Sequence, residues 1–266
     1  MAKITFQQVS KQFASDEGVV LAIDGLSLNI EENQFVSLVG PSGCGKTTLL
    51  NIVAGFEMPS MGSVQVNDQE IHAPGPDRGV VFQEPGLFPW LSVEENIAFP
   101  LRIRNAPKPD IDATVESLLD SIGLTSFRKR IPAELSGGMR QRVAIGRVMA
   151  MDADVLLMDE PFASLDAQTR IIMQELLTNI WENRKKTVLF ITHDLDEAIF
   201  LADRVHIMSA RPGKIIESLD VELPRPRNAN TATTPAFHNL VDRTYQIVRQ
   251  EALTAMAQME QIEEIT

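Results

Sequence analysis

Cysteine is nearly missing from this 266-residue chain, where Cys44 stands alone. A lone cysteine excludes an intramolecular disulfide, and its setting in a glycine-rich stretch fits a reducing compartment. Basic residues are outnumbered, 24 Lys and Arg against 36 Asp and Glu, which leaves a formal net charge of −12. That balance argues against broad nucleic-acid binding, which needs a basic face, though it leaves room for a local basic patch. No apolar run approaches the roughly 20 residues needed to span a bilayer. The opening residues Met1-Ala2-Lys3-Ile4-Thr5-Phe6 lack the apolar core of a signal peptide and read as a strand. Internal repeats and low-complexity tracts are also missing. The expectation is a cytoplasmic protein whose membrane association, if any, comes through a partner.

What is there suffices for a full core. A hydrophobic content of 44% with 23% charged residues is that of a soluble globular protein, as one large α/β domain or a domain carrying an inserted lobe. The chain is organised around Gly40-Pro41-Ser42-Gly43-Cys44-Gly45-Lys46-Thr47, which fits the phosphate-binding pattern G-x-x-x-x-G-K-[ST]. Phe35-Val36-Ser37-Leu38-Val39 before it reads as a buried strand. Thr48-Leu49-Leu50-Asn51-Ile52-Val53-Ala54 after it reads as a helix stopped by Gly55. Phosphate chemistry needs that strand–loop–helix order. Glycines let consecutive N–H groups turn in around phosphate oxygens, and the helix start adds its positive dipole end. Lys46 supplies a point charge for the outer phosphates and the Thr47 hydroxyl a ligand for Mg²⁺. A glycine-rich turn entering a helix is the bland alternative.

The flanking sequence predicts a small antiparallel sheet from residues 3–9, Val19 to Ile30, and a strand over residues 62–68. Phe13, in the segment between the first two stretches, can stack on a purine or serve as a core aromatic. Gly79-Val80-Val81-Phe82, Val155-Leu156-Leu157-Met158 and Val188-Leu189-Phe190-Ile191 read as inner strands of a parallel sheet, buried on both faces. Each ends in polar residues: Gln83, then Asp159 and Glu160, then Thr192 and His193. Ligands of open α/β sheets sit beyond the carboxyl ends of the strands, so these groups reach the edge that carries Lys46.

Between Gln83 and Asp154 the pattern turns helical. A capping box at Ser92-Val93-Glu94-Glu95 opens one helix near Asn96 to Leu101, a second runs from about Ile111 to Ile122, and a third opens at Ser136-Gly137-Gly138. Ala167 to Arg184 reads as a long amphipathic helix with Ile172, Leu176 and Ile180 on one stripe, and Val205-His206-Ile207-Met208 as the last strand. Pro224-Arg225-Pro226-Arg227 leads into a polar linker over residues 228–235, with helical spacing beyond it.

Asp159 at a strand end facing the phosphate loop can hold Mg²⁺, and Glu160 beside it can act as general base on an attacking water. An exposed acidic turn is the plain alternative. In Leu135-Ser136-Gly137-Gly138-Met139-Arg140-Gln141, Ser136 reads as an N-cap, yet each glycine in the first turn weakens the helix by about 1 kcal/mol relative to alanine. That penalty makes sense where bare backbone must approach an anion. One phosphate loop is already present on another strand, so this second anion-binding helix start suits a nucleotide held by another copy of the chain.

On these motifs residues 1–220 resemble the ATP-binding-cassette (ABC) family. Residues 40–47 look like its Walker A loop, residues 155–160 its Walker B strand and catalytic glutamate, and residues 135–141 its signature motif. Gln83 matches the Q-loop, Ser164-Leu165-Asp166 the D-loop and His193 the switch histidine. The resemblance implies an α/β P-loop NTPase core with a mostly parallel sheet, an N-terminal antiparallel β subdomain, and a helical subdomain inserted at about residues 84–153. The ATPase domain would span residues 1–222, and residues 223–266 a linker and C-terminal helical extension. It implies a head-to-tail dimer with two ATP molecules, each held by residues 40–47 and Thr48 of one subunit. The other subunit would contribute Ser136, Gly137, Gly138 and Asp166. Gln83 would sense Mg²⁺ and water, with Thr47 and Asp159 as the other metal-site residues. His193 would position Glu160, and Phe13 falls where the family carries an adenine-stacking aromatic.

Glu84-Pro85-Gly86-Leu87-Phe88-Pro89-Trp90-Leu91 is expensive to leave in water unless it packs or docks. In the family this region helps form the groove for a permease's coupling helix, with Phe88 and Trp90 as contacts; lobe core is the alternative for both. The wording of this loop looks like the subgroup that energises uptake of nitrate, sulfonates and taurine. That implies a permease and, indirectly, a periplasmic solute-binding protein as partners, at the inner face of the cell membrane. The tail is too short for the regulatory domain of some sugar importers. Soluble translation or repair ATPases would carry two cassettes or a long coiled-coil insertion, and neither is present. A regulatory module without turnover would show a degraded Glu160, His193 or signature; an export motor differs only in the loop after Gln83.

Overall fold

A computed structural model of the protein describes residues 3–15 and 18–263. Met1 and Ala2 of the opening stretch and residues 264–266 of the tail lie outside the described residues. In chain order the elements are β1 (Ile4–Ser15), β2 (Gly18–Ile30), β3 (Phe35–Val39), α1 (Lys46–Ala54), β4 (Met61–Val66), β5 (Gln69–Glu70), β6 (Arg78–Val81), α2 (Val93–Ile103), α3 (Lys108–Ser121) and α4 (Gly137–Ala150). There follow β7 (Val155–Asp159), α5 (Ala167–Arg184), β8 (Thr187–Ile191), α6 (Leu195–Leu201), β9 (Arg204–Met208), β10 (Ile215–Asp220) and α7 (Pro235–Glu263).

Two sheets result. One has the order β10-β9-β3-β8-β7-β6, parallel from β9 to β6, with β10 antiparallel at its edge. The other is the expected antiparallel sheet, ordered β2-β1-β4-β5. The inner strands are continuously apolar because both faces are covered. Phe35, Leu156, Met158 and Phe190 enter the core shared with α2 to α7, while Val36, Leu38, Leu157 and Leu189 alternate into the core shared with α1 and the antiparallel sheet. Register sets the site: Leu38 pairs with Ile191 and Ile191 with Asp159, so the polar residues following β3, β8 and β7 leave the sheet at one height.

Local chemistry starts and stops the helices where expected. Gly55 ends α1 in a left-handed conformation, φ 79°, where a Cβ would lie 2.3 Å from the Ala73 carbonyl. Ser92 and Glu95 form the capping box of α2: Glu95 N donates to Ser92 Oγ at 3.3 Å, and Ser92 N to Glu95 Oε2 at 2.8 Å. Ser136 caps α4 by accepting from Met139 N at 3.3 Å.

Four expectations change. Phe13 lies within β1, opposite Val20 of β2, because the strand runs to Ser15. On α5 the buried face is Met173, Leu177, Ile180 and Trp181, while Ile172 is exposed. Trp181 decides that rotation by docking edge-on against Phe35, ring centroids 5.7 Å apart. Residues 205–208 are not the last strand, since β10 follows; its half-exposed pattern hides it from a search for apolar runs. The segment around Arg225 and Arg227 is docked: Arg227 is buried and donates to the Ile199, Phe200 and Ala202 carbonyls at 3.1, 2.9 and 2.7 Å. Phe237 of α7 is buried in the larger core.

Candidate active site

The carboxyl end of the parallel sheet opens on a cavity of about 570 Å³. Ser42, Gly43, Gly45, Lys46, Thr47 and Thr48 form one wall; Glu160 and His193 close a second, and Phe13, Val20, Ala22 and Arg211 complete the lining. Gly40, Pro41 and Cys44 stand behind the wall. The Gly40 and Pro41 carbonyls each accept a hydrogen bond from Lys46 Nζ at 2.9 Å, and buried Cys44 keeps its Sγ 3.7 Å from the same nitrogen. Burial pushes the Cys44 thiol up despite Lys46, so it is not a nucleophile. Gly45, at φ 104°, delivers the chain into α1 so that the helix N-terminus faces the cavity.

Glu160 follows β7 in a left-handed conformation, φ 43°, which is uncommon for a side chain of its size and is held by a hydrogen bond from its N–H to the Ile191 carbonyl at 2.9 Å. The turn aims its carboxylate at His193, whose Nδ1 lies 3.0 Å from Oε2. A carboxylate held by a histidine thus faces the same cavity as the lysine. Asp159 accepts from the Thr47 hydroxyl at 3.3 Å. Burial raises the Asp159 carboxyl, with the Thr47 hydrogen bond opposing it.

A hydroxyl and a desolvated carboxylate, both hard oxygen donors, fit Mg²⁺, which favours one or two carboxylates together with phosphate oxygens and water. Among the described residues no group of three or more His, Cys, Asp or Glu could hold a metal by itself.

Other expected residues stand apart. Gln83 is exposed beyond β6, at the far edge of the sheet from β3, and does not line the cavity. Ser136 and Gly137 are exposed, Gly138 is buried, and none of the three lines it. Asp166 caps α5, accepting from Thr169 N at 2.9 Å and Thr169 Oγ1 at 2.7 Å, which hold its carboxyl below the usual range. Phe13 does line the cavity, with Lys11 Nζ 5.0 Å from its ring centre. Sequence reasoning missed Arg211. It comes from the β9–β10 loop, 168 residues from Gly43, and carries no motif.

A second concavity, about 430 Å³, lies between β6, α2 and α4 and is walled by Val80, Phe88, Phe99, Pro100, Ile103 and Arg147. Phe88 is half-buried against Phe99, centroids 4.3 Å apart, whereas Trp90 is 73% exposed.

A parallel sheet ending in this lysine loop, carboxylate pair and histidine defines a P-loop ATPase. The ABC transporter family profile matches residues 23–163. An uncharacterised ABC transporter ATP-binding protein of Methanocaldococcus jannaschii is 43% identical over 96% of this chain and 94% of its own length. An aliphatic sulfonates import ATP-binding protein of Bacillus cereus is 45% identical over 86% of this chain and 90% of its own. Among solved structures, a dimeric ATP-binding cassette in a post-hydrolysis state with ADP and Pi matches 82% of this chain and 98% of its own, at 30% identity and TM-score 0.72. The chain belongs to the ABC transporter family, and it is an ATP-binding, ATP-hydrolysing subunit of that family with the expected α/β fold.

Proposed function

We propose that two copies of this chain, or one copy and a paralogue, assemble head to tail on a membrane permease and power import of a small solute of the sulfonate, nitrate or taurine type. Each ATP is held by residues 40–48 of one subunit and by Ser136, Gly137, Gly138 and Asp166 of the other. The observation that carries this reading is that Ser136 and Gly137 are exposed at the start of α4 yet do not line the cavity of their own chain. A helix N-terminus turned to solvent, with its positive dipole end exposed, suits a phosphate brought by a partner.

In that assembly Lys46 exchanges the Gly40 and Pro41 carbonyls for phosphate oxygens. Glu160 takes the proton of the water that attacks the γ-phosphorus; the bond to the ADP oxygen breaks and inorganic phosphate leaves. His193 fixes the Glu160 carboxylate and Gln83 approaches the water on closure. Thr47 and Asp159, 3.3 Å apart, would hold Mg²⁺, whose charge would offset that of the phosphates. Residues 1–222 form the ATPase domain and 223–266 its extension. The protein works at the cytoplasmic face of the membrane, docked through Phe88 and Trp90, and a periplasmic binding protein delivers the solute. The sulfonate-importer relatives support the import direction.

Glu160→Gln should bind ATP, hydrolyse it at least a hundredfold more slowly, and run as an ATP-dependent dimer on size exclusion. Full-speed hydrolysis by strictly monomeric protein would sink the shared-site reading. Co-purification with a permease but no solute-binding protein would favour export.

A further inference from the structure

Arg211 is the cationic side chain in the ATP cavity that the family motifs do not supply. Its guanidinium donates to the Gly43 carbonyl from Nε at 3.3 Å and from Nη2 at 3.1 Å. No carboxylate pairs with it among the described residues, so its positive charge adds to that of Lys46 in the same cavity.

The loop that carries Arg211 is held tightly against the phosphate loop. Gly213 N donates to the Ala22 carbonyl at 2.9 Å and Asp24 N to the Gly213 carbonyl at 3.3 Å. A Cβ at Gly213 would sit 2.1 Å from the Cys44 carbonyl oxygen, so only glycine lets the two loops touch. Ser209 Oγ closes the loop on itself, donating to the Pro212 carbonyl at 3.0 Å and accepting from Lys214 N at 3.0 Å. From outside, Glu251 of α7 reaches in: its Oε2 accepts from Ala210 N at 2.8 Å, one residue before Arg211. Ala210 is 5% exposed, so its N–H is largely shielded from water and losing the carboxylate would leave it poorly satisfied.

We propose that Arg211 is a further nucleotide-binding residue, contacting the polyphosphate in cis, and that Glu251 is its positioning residue, which makes the C-terminal helix a strut of the ATP site. The inference rests on the nucleotide reading of the cavity. Two donors on the Gly43 carbonyl fix the guanidinium plane, and its remaining N–H groups stay available for phosphate oxygens. A planar fork suits phosphate geometry.

The test is titration of the full chain with ATP and with ADP, followed by calorimetry, alongside the melting temperature without nucleotide. Arg211→Ala should raise Kd for both nucleotides about tenfold, the size expected for losing one charge-assisted hydrogen-bonding group. Arg211→Lys should raise it less. Glu251→Ala should raise Kd severalfold, Glu251→Gln, which keeps an acceptor oxygen, should restore it, and the double variant Arg211→Ala/Glu251→Ala should bind no worse than Arg211→Ala alone. Arg211→Ala and Arg211→Lys both within twofold of the parent, with Lys46→Ala still abolishing binding, would overturn the inference and leave the site reading standing. Glu251→Ala effects that add fully to those of Arg211→Ala would overturn the strut. Normal binding by Lys46→Ala would overturn the cavity assignment itself.

Discussion

A Cβ at Gly138 would lie 2.5 Å from Thr169 Cγ2, closer than carbon atoms approach, while at Gly137 the same construction meets nothing nearer than Arg140 Nη2 at 4.0 Å. The two glycines of the signature therefore have different reasons. Gly138 lets α4 press against α5; Gly137 is not demanded by its own chain's packing and keeps the anion-facing reason. Gly138→Ala should destabilise the protein by about 1–3 kcal/mol, the usual range for overpacking. Thr169→Ser should recover most of that, since it deletes Cγ2 and keeps the hydroxyl bonded to Asp166 at 2.7 Å. Urea unfolding of the single and double variants measures it, and additive losses would count against the clash. A second residue-scale prediction concerns pH. Glu197 is 3% exposed and burial pushes its carboxyl from 4.5 to about 7, against a hydrogen bond from Thr192 and with Asp194 adding repulsion. Arg170 and the Gln174 amide, 3.4 Å away, oppose that rise only in part. The folded state thus holds this proton more tightly than the unfolded chain. The stabilisation is complete below pH 4.5 and is lost as pH rises to about 7. At about 1.4 kcal/mol per unit, the loss is on the order of 3 kcal/mol. Glu197→Gln should flatten the decline in unfolding midpoint between pH 5 and pH 7.5. His206, buried and held down to about 4, acts the other way and removes stability as pH falls below 6.5.

Elements inherit their positions from such residues. Pro235–Glu263 forms a single helix that carries no family motif, yet Phe237 is 1% exposed inside the main core and Glu251 holds the loop behind the ATP cavity. Phe237→Ala should cost about 3–5 kcal/mol, the range for truncating a buried phenylalanine. An unfolding midpoint that stays put would mean α7 is only loosely apposed. How much of this was legible depends on distance along the chain. The β3–loop–α1 unit was readable because its glycines, lysine and flanking apolar runs are contiguous, and the α2 capping box because its partners are three residues apart. Asp159, Glu160 and His193 were readable because parallel strands deliver their ends to one rim. Arg211 was not, because only the sheet order brings β9 beside β3 and sets the loop after it against Gly43. The rotation of α5 is hidden from the sequence for the same reason: Ile171 and Ile172 look as apolar as Met173, and the docking of Trp181 on Phe35, far away in sequence, decides which of them is buried.

At the scale of the whole molecule, the cavity rim and the groove beside α2 are both concave and open to solvent. No helix among the described residues is long and apolar enough to cross a membrane. Under the proposed function, a permease meets an exposed surface of the chain. The groove suits a short amphipathic helix, lined by Phe88 and Phe99, with Arg147 over the Phe88 ring at 5.4 Å and the exposed Trp90 ring 5.8 Å from that of Phe88. Phe88 also supports the lobe, so truncating it would confound folding with docking. Trp90 separates the two. With 73% of its surface in water it contributes little to the fold, yet an exposed tryptophan at a groove rim is the kind of residue that dominates an interface, worth about 2 kcal/mol or more when removed. Trp90→Ser should therefore keep its melting temperature and bind the detergent-solubilised permease roughly thirtyfold more weakly. If Trp90→Ser co-purifies with the permease as fully as the parent chain, docking runs through another face. In that case the apolar loop after Gln83 belongs to the lobe's own packing.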